Sequence, residues 1–152
     1  MTIKIGSISD SDLKVENYHR HDDGWYALRP KNILTARKLA QAMMSAVDNE
    51  NIIGVDIECN ELQAEIAKIG YSDIANIATP CKTGSAALAR ACCWVSGIRV
   101  PAFSMSEELD FLLGTFQFSK IAEPWAEKDL RMGDILVTKT KRHTAIVVSV
   151  EE

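Results

Sequence analysis

No apolar run in this chain approaches the roughly 20 residues that a membrane-spanning helix needs, and the opening MTIKIGSISDSD lacks the basic-then-apolar layout of a secretory leader. Neither a membrane partner nor export is expected from those absences, and the expected location is cytoplasmic. The four cysteines, Cys59, Cys81, Cys92 and Cys93, show no CxxC spacing and include an adjacent pair, so neither a zinc site nor a disulfide framework is expected. Surplus positive charge is missing as well. With 17 Lys and Arg against 21 Asp and Glu, the net charge of −4 argues against a general nucleic-acid binder. Low-complexity tracts, fixed-period repeats and Gly/Ser linkers are absent, so residues 1–152 are expected to form a single domain.

What is present is a 47% hydrophobic content in 152 residues, enough for one core. IKIGSI, LKVENY and GWYALR, separated by polar turns, predict three short strands before Pro30. From Asn32, a good N-cap, ILTARKLAQAMMSAV puts Ile33, Ala36, Leu39, Met43 and Val47 on one helical face. NELQAEIAKIG repeats the pattern and stops at Gly70. TGSAALARACCWVSG turns Leu88, Ala91, Cys92 and Val95 inward, and SMSEELDFLLGTF predicts a short helix opened by Ser104 or Ser106. FQFSKI, DILVTKT and HTAIVVSV then predict strands. The class is α+β, with helices packed on a small antiparallel sheet.

A nucleophile at a helix N-terminus, held and later protonated through a histidine on a following strand, is a hydrolase layout. Here the first hydroxyl of the small-residue helix is Ser85, and His143 opens the last strand 58 residues later. Each feature also has a plain structural reading. Ser85 fits an N-cap, and His143 fits a half-buried histidine. Cys92 and Cys93, in mid-helix, fit core packing, and Cys81 is the only thiol placed to enter a cleft. Lys139, Lys141 and Arg142 fit a solvated hairpin tip. HRHDDGW, with His19, His21, Asp22 and Asp23, reads as a polar turn rather than a metal cluster, and Trp25, Trp94 and Trp125 read as core or cleft wall. No metal or cofactor is expected.

GDILV followed by HTAIVV, together with TGSAALARACC, WYALRPKN and AQAMMSAVDNENIIGVD, resembles the NlpC-type (papain-like) cell-wall cysteine peptidases, closest to phage-encoded peptidoglycan hydrolases. The resemblance implies a papain-like fold and a Thr-Asp-Cys-Ser-(Ser/Ala)-Leu nucleophile motif. Against that motif the chain has Gly84, Ser85 and Ala86, so Ser85 stands where the nucleophilic cysteine would be. Against a usual Gly-Tyr-Asp-Gln segment it has Gly54, Val55, Asp56 and Ile57, and no Gly-Asp-Gln-Thr-Gly stretch is visible around Ser11–Val15. A hydroxyl is far less acidic than a thiol and needs a stronger base arrangement than the sequence offers.

No catalytic residue is therefore expected, with Ser85 and His143 as degenerate positions, and the enzyme assignment leans to none. The preferred function is an inactive NlpC-like domain, phage-encoded and acting in the host cytosol. It would sequester a small anionic ligand, such as a host nucleotide signal, in the old cleft. Gly84, Ser85, Ala86, Lys141, Arg142 and His143 are its expected ligand residues, with the helix N-terminus and the basic hairpin forming one edge. A cell-wall fragment is the other expected ligand and a homo-oligomer stays open. The alternatives are an active peptidoglycan amidase or endopeptidase, and a structural role in a phage particle.

Overall fold

The computed structural model describes residues 1–9, 11–57 and 59–152. Strands β1 (Thr2–Ser9), β2 (Asp12–Asn17) and β3 (Trp25–Pro30) form where the three N-terminal apolar runs predict them. Helix α1 (Ile33–Asp48) follows. The side-chain oxygen of Asn32 accepts from the N–H of Leu34 and of Thr35 at 2.8 and 3.3 Å, satisfying donors that a first helical turn leaves unpaired.

Then come β4 (Ile53–Val55), α2 (Glu61–Lys68), β5 (Cys81–Thr83) and α3 (Ser85–Val95). The expected opening of the next helix shifts. Helix α4 (Glu108–Gly114) is capped at Glu107, whose carboxylate accepts from the N–H and hydroxyl of Ser104 at 3.0 and 3.1 Å. The serine is thus a donor there, not the cap. Strands β6 (Phe118–Lys120), β7 (Ile135–Thr138) and β8 (Thr144–Glu151) complete the order.

Six strands make one antiparallel sheet in the order β2-β1-β8-β7-β3-β6, an α+β arrangement. A second pair, β4 with β5, is parallel and was not expected, because three-residue strands carry no periodicity. The large sheet is covered on both faces. Ile135, Val137, Ile146 and Val148 pack with Leu39 and Met43 of α1, Leu62 and Ile66 of α2, and Leu88 and Cys92 of α3. Leu136, Ala145 and Val147 turn the other way, onto Ile3, Ile5, Trp25 and Leu130. That double burial is why β7 reads as an unbroken apolar run rather than an alternating one.

The turn before β7 is fixed by two residues. Asp134, fully buried, takes a two-pronged contact from Arg29 of β3, Nε to Oδ1 at 3.0 Å and Nη2 to Oδ2 at 2.9 Å, and also accepts from the N–H of Arg131 at 2.8 Å. Its carbonyl takes the N–H of Val147, while the N–H of Gly133 bonds back to Val147. Gly133 has φ +92, and a Cβ there would lie 2.4 Å from the Ala36 carbonyl oxygen, so the turn can pass beneath α1 only as glycine.

Arg29→Ala, which strands a buried carboxylate, is expected to cost about 3–5 kcal/mol of unfolding free energy. Gly133→Ala is expected to cost about 1–3 kcal/mol from strain alone and more from the clash. Gly97→Ala, with φ +91 but nothing within 4 Å of the added carbon, should cost less than Gly133→Ala. Urea unfolding of the three variants checks the order.

Candidate functional site

The start of α3 is built tightly. Gly84 holds the N-cap position, and its N–H bonds to the Cys59 carbonyl at 2.9 Å. A Cβ on residue 84 would sit 2.5 Å from the Ile57 carbonyl oxygen, so the backbone at Ile57 occupies the space an aspartate side chain would need. Ser85 is the first helical residue rather than the cap, and its hydroxyl makes no hydrogen bond among the described residues. The nearby thiol of Cys81 is pushed up to about 11, first by burial and then by Glu65 and Glu61. It is therefore a neutral thiol at pH 7, a poor nucleophile. Burial also pushes Cys92 up to about 12 and Cys93 well up, and both are packed in the core.

His143 lies elsewhere. The hairpin between β7 and β8 closes on Thr138, whose hydroxyl oxygen accepts from the N–H of Arg142 and of His143 at 3.0 and 3.1 Å. The His143 ring then stands 5.7 Å from the Trp25 ring and 6.1 Å from that of His21, which is 6.4 Å from His19. All three histidines of the chain thus converge. With Ile8 and Ser9 they line a cavity of about 320 Å³ that includes none of Gly84, Ser85 and Ala86. Burial, then the neighbouring His21 and His19, holds the His143 imidazole below its ordinary value, with Glu16 opposing. It is neutral at pH 7.

Trp25 belongs to the sheet face away from the helices, whereas Thr144, one residue on, donates to Glu108 of α4 at 2.7 Å. Of the six expected ligand residues, His143 lines the cavity beside Trp25, which none of Gly84, Ser85 and Ala86 lines, while Thr144 turns to the helices. Strand alternation is the reason, since it turns consecutive residues at the head of β8 to opposite faces. Among the described residues no hydrogen bond joins Ser85 to His143.

A second cavity, of about 570 Å³, adjoins the histidines across Trp25 and is lined by Tyr18, Arg20, Glu123, Trp125, Glu127 and Lys139. Its size suits a small molecule. Trp25, 3% exposed, is its floor. Lys139 is paired with Glu123 at 3.1 Å, so it is not the free hairpin cation its sequence position implies, and cations and carboxylates balance across the opening. No local spacing in the sequence announces this cleft, because its walls come from segments 18–25, 123–127 and 139. In HRHDDGW, His21 Nδ1 accepts from the Asp23 N–H at 3.1 Å, closing a turn. No group of three or more His, Cys, Asp or Glu among the described residues is arranged to hold a metal ion. The Trp94 and Tyr71 rings lie 5.2 Å apart beneath Arg99, which with Asp110, Thr115 and Gln117 lines a third cavity, of about 610 Å³.

The model of a family described as an endolysin-like domain matches residues 4–152. Nothing matches among curated proteins or among solved structures.

Glu108 is the buried acid beside this region. It is 0% exposed, its Oε2 accepts from Thr144, and its Oε1 has no partner among the described residues. Burial pushes its carboxyl up to about 8, against the smaller opposing effect of the Thr144 hydroxyl. The folded protein keeps this proton where the unfolded chain has released it, so stability falls as pH rises from the ordinary glutamate range to about 8 and then levels. Glu108→Gln, which still accepts from Thr144, is expected to remove that slope and raise stability at pH 8. Urea unfolding across pH 4–9 decides it; an unchanged slope in the variant rejects it.

Proposed function

The chain belongs to the endolysin-like domain family, and from that premise we propose that it is a member that binds a ligand without hydrolysing peptidoglycan. The observation that carries the reading is the missing nucleophile–base pair. Ser85 has an unbonded hydroxyl at the start of α3, and His143 stacks on Trp25 and His21. An acyl-transfer site needs the two within hydrogen-bond reach. Its family membership is read as the NlpC type with a degenerate motif, in which Gly84-Ser85-Ala86 stands for Asp-Cys-Ser.

The proposed ligand is a small anion such as a nucleotide signal of the host, and the proposed setting is the host cytosol. The support is chemical. Lys141 and Arg142 have no ion-pair partner among the described residues, and they precede a half-buried imidazole beside a cavity lined by two more. An anion there would gain charge-assisted hydrogen bonds. Gly84, Ser85 and Ala86 are not required by this site.

Three results are expected. Muropeptide release from purified peptidoglycan should stay at background for the natural chain; turnover lost in Ser85→Ala or Cys81→Ala would instead favour an active lysin. Gly84→Asp, Ser85→Cys and Ala86→Ser combined should fail to create activity, because the Ile57 carbonyl fills the place of the aspartate side chain. In calorimetric titrations with nucleotides, Arg142→Ala and His143→Ala should each weaken binding by roughly ten- to hundredfold. A nucleotide that binds all three proteins equally would remove the site from this cavity.

A further inference from the structure

The large apolar side chains left in water are not scattered. Of the six exposed ones, four are Ile33 (68%), Leu34 (59%), Phe116 (78%) and Met132 (38%). Three separate segments bring them to the start of α1. Ile33 and Leu34 form its first turn. The N–H of Lys31 bonds to the Gln117 carbonyl at 2.9 Å, which sets Phe116 beside that turn. Gly133 touches Ala36, one turn into the helix, so Met132 lies on the adjoining side. Phe116 is held in the left-handed region, φ +60, a costly backbone for a bulky residue that is left mostly exposed.

The charge around these residues is one-sided in a chain of net charge −4. Between Gly24 and Val47 there is no Asp or Glu, but there are Arg29, Lys31, Arg37 and Lys38. Arg29 is taken by Asp134, while Lys31, Arg37 and Lys38 are exposed and without an ion pair among the described residues. Arg131, also exposed, adjoins Met132. Apolar tips beside the cations Lys31, Arg37 and Lys38, with the exposed acids Asp110 and Asp129 in the flanking segments, have the chemistry of an interfacial contact with anionic lipid, where side chains enter the headgroup boundary and the basic side meets phosphate.

We propose that this end of the molecule docks on the surface of an anionic lipid bilayer. A second copy of the chain fits less well, because symmetric pairing sets the two basic rims against each other. An acidic protein partner would normally seat its anchors in pockets; the cavity nearest the patch, lined by Thr115 and Gln117 on either side of Phe116, also carries Asp110 and is not lined by Ile33, Leu34, Phe116 or Met132. A planar bilayer needs no pocket. That no helix is long and apolar enough to cross a membrane does not bear on surface association.

The test is flotation of the whole protein with vesicles of phosphatidylcholine alone or mixed with phosphatidylglycerol. Expected is binding to the mixed vesicles only, weakened by salt. Arg37→Ala with Lys38→Ala should reduce it about fivefold for each cation removed, and Leu34→Ser with Phe116→Ser should reduce it at least as much. Unchanged melting temperatures establish that both pairs of changes leave the fold intact; if the second pair lowers it, the basic pair alone decides. Failure to bind mixed vesicles, or equal binding by the variants, overturns the proposal. So does capture by immobilised polyglutamate without vesicle binding, which assigns an acidic protein, or a dimer lost in Phe116→Ser without vesicle binding, which assigns a second copy.

Discussion

A carboxylate sealed from water, Asp134, sets the geometry on which the sheet depends. Its charge is tolerable there only because the Arg29 guanidinium meets it with two parallel contacts and the N–H of Arg131 supplies a third. Arg29 lies on β3 and Asp134 at the head of β7, 105 residues later, so the pair sets the register in which Leu28 opposes Ile135. The carbonyl of the same residue holds the Val147 N–H, which carries that register into β8. Three of the six strands are thereby aligned from one buried charge, and α1 rests on the turn just before it through Gly133 and Ala36.

From that alignment the division of chemistry in the molecule follows. Once β8 is in register, Thr144 must face the helices and reach Glu108, and His143 must face Trp25. The helix side has a buried neutral acid, buried thiols and a closed helix start. The far side has three imidazoles, an aromatic floor and two open cavities.

Where local chemistry dictates conformation, the sequence was readable. Asn32 before an apolar 3.6-residue pattern gave α1 with its cap, and Gly70 marked the stop of α2. GDILV and HTAIVV gave β7 and β8, since β-branched runs bounded by turn residues have few other uses. The α+β class followed from element order. The histidine cavity was not readable, because it forms only when β1 pairs with β8 and brings the end of β1, the residues after β2 and those after β7 together. Ser85 as a cap failed because Gly84 is the one residue that fits beside Ile57, and so takes the cap position. Glu108 looked like an ordinary first-turn acid on a short helix; its burial is decided by Thr144 across the core, which no spacing announces.

The neighbouring of β1 and β8 also has a kinetic meaning. Thr2 pairs with Glu151 and Ser7 with Ala145, so β1 is joined to a strand made long after it. On a ribosome adding about 5–20 residues each second, β1 and β2 wait roughly 7–30 s for the strand that completes them. Their hairpin alone is marginal in water, and its apolar face, Ile3 and Ile5, stays unburied over that interval. Such an order of contacts makes assembly late and all at once rather than progressive. The nascent protein is therefore most exposed to proteases and to aggregation in the seconds before β8 leaves the ribosome.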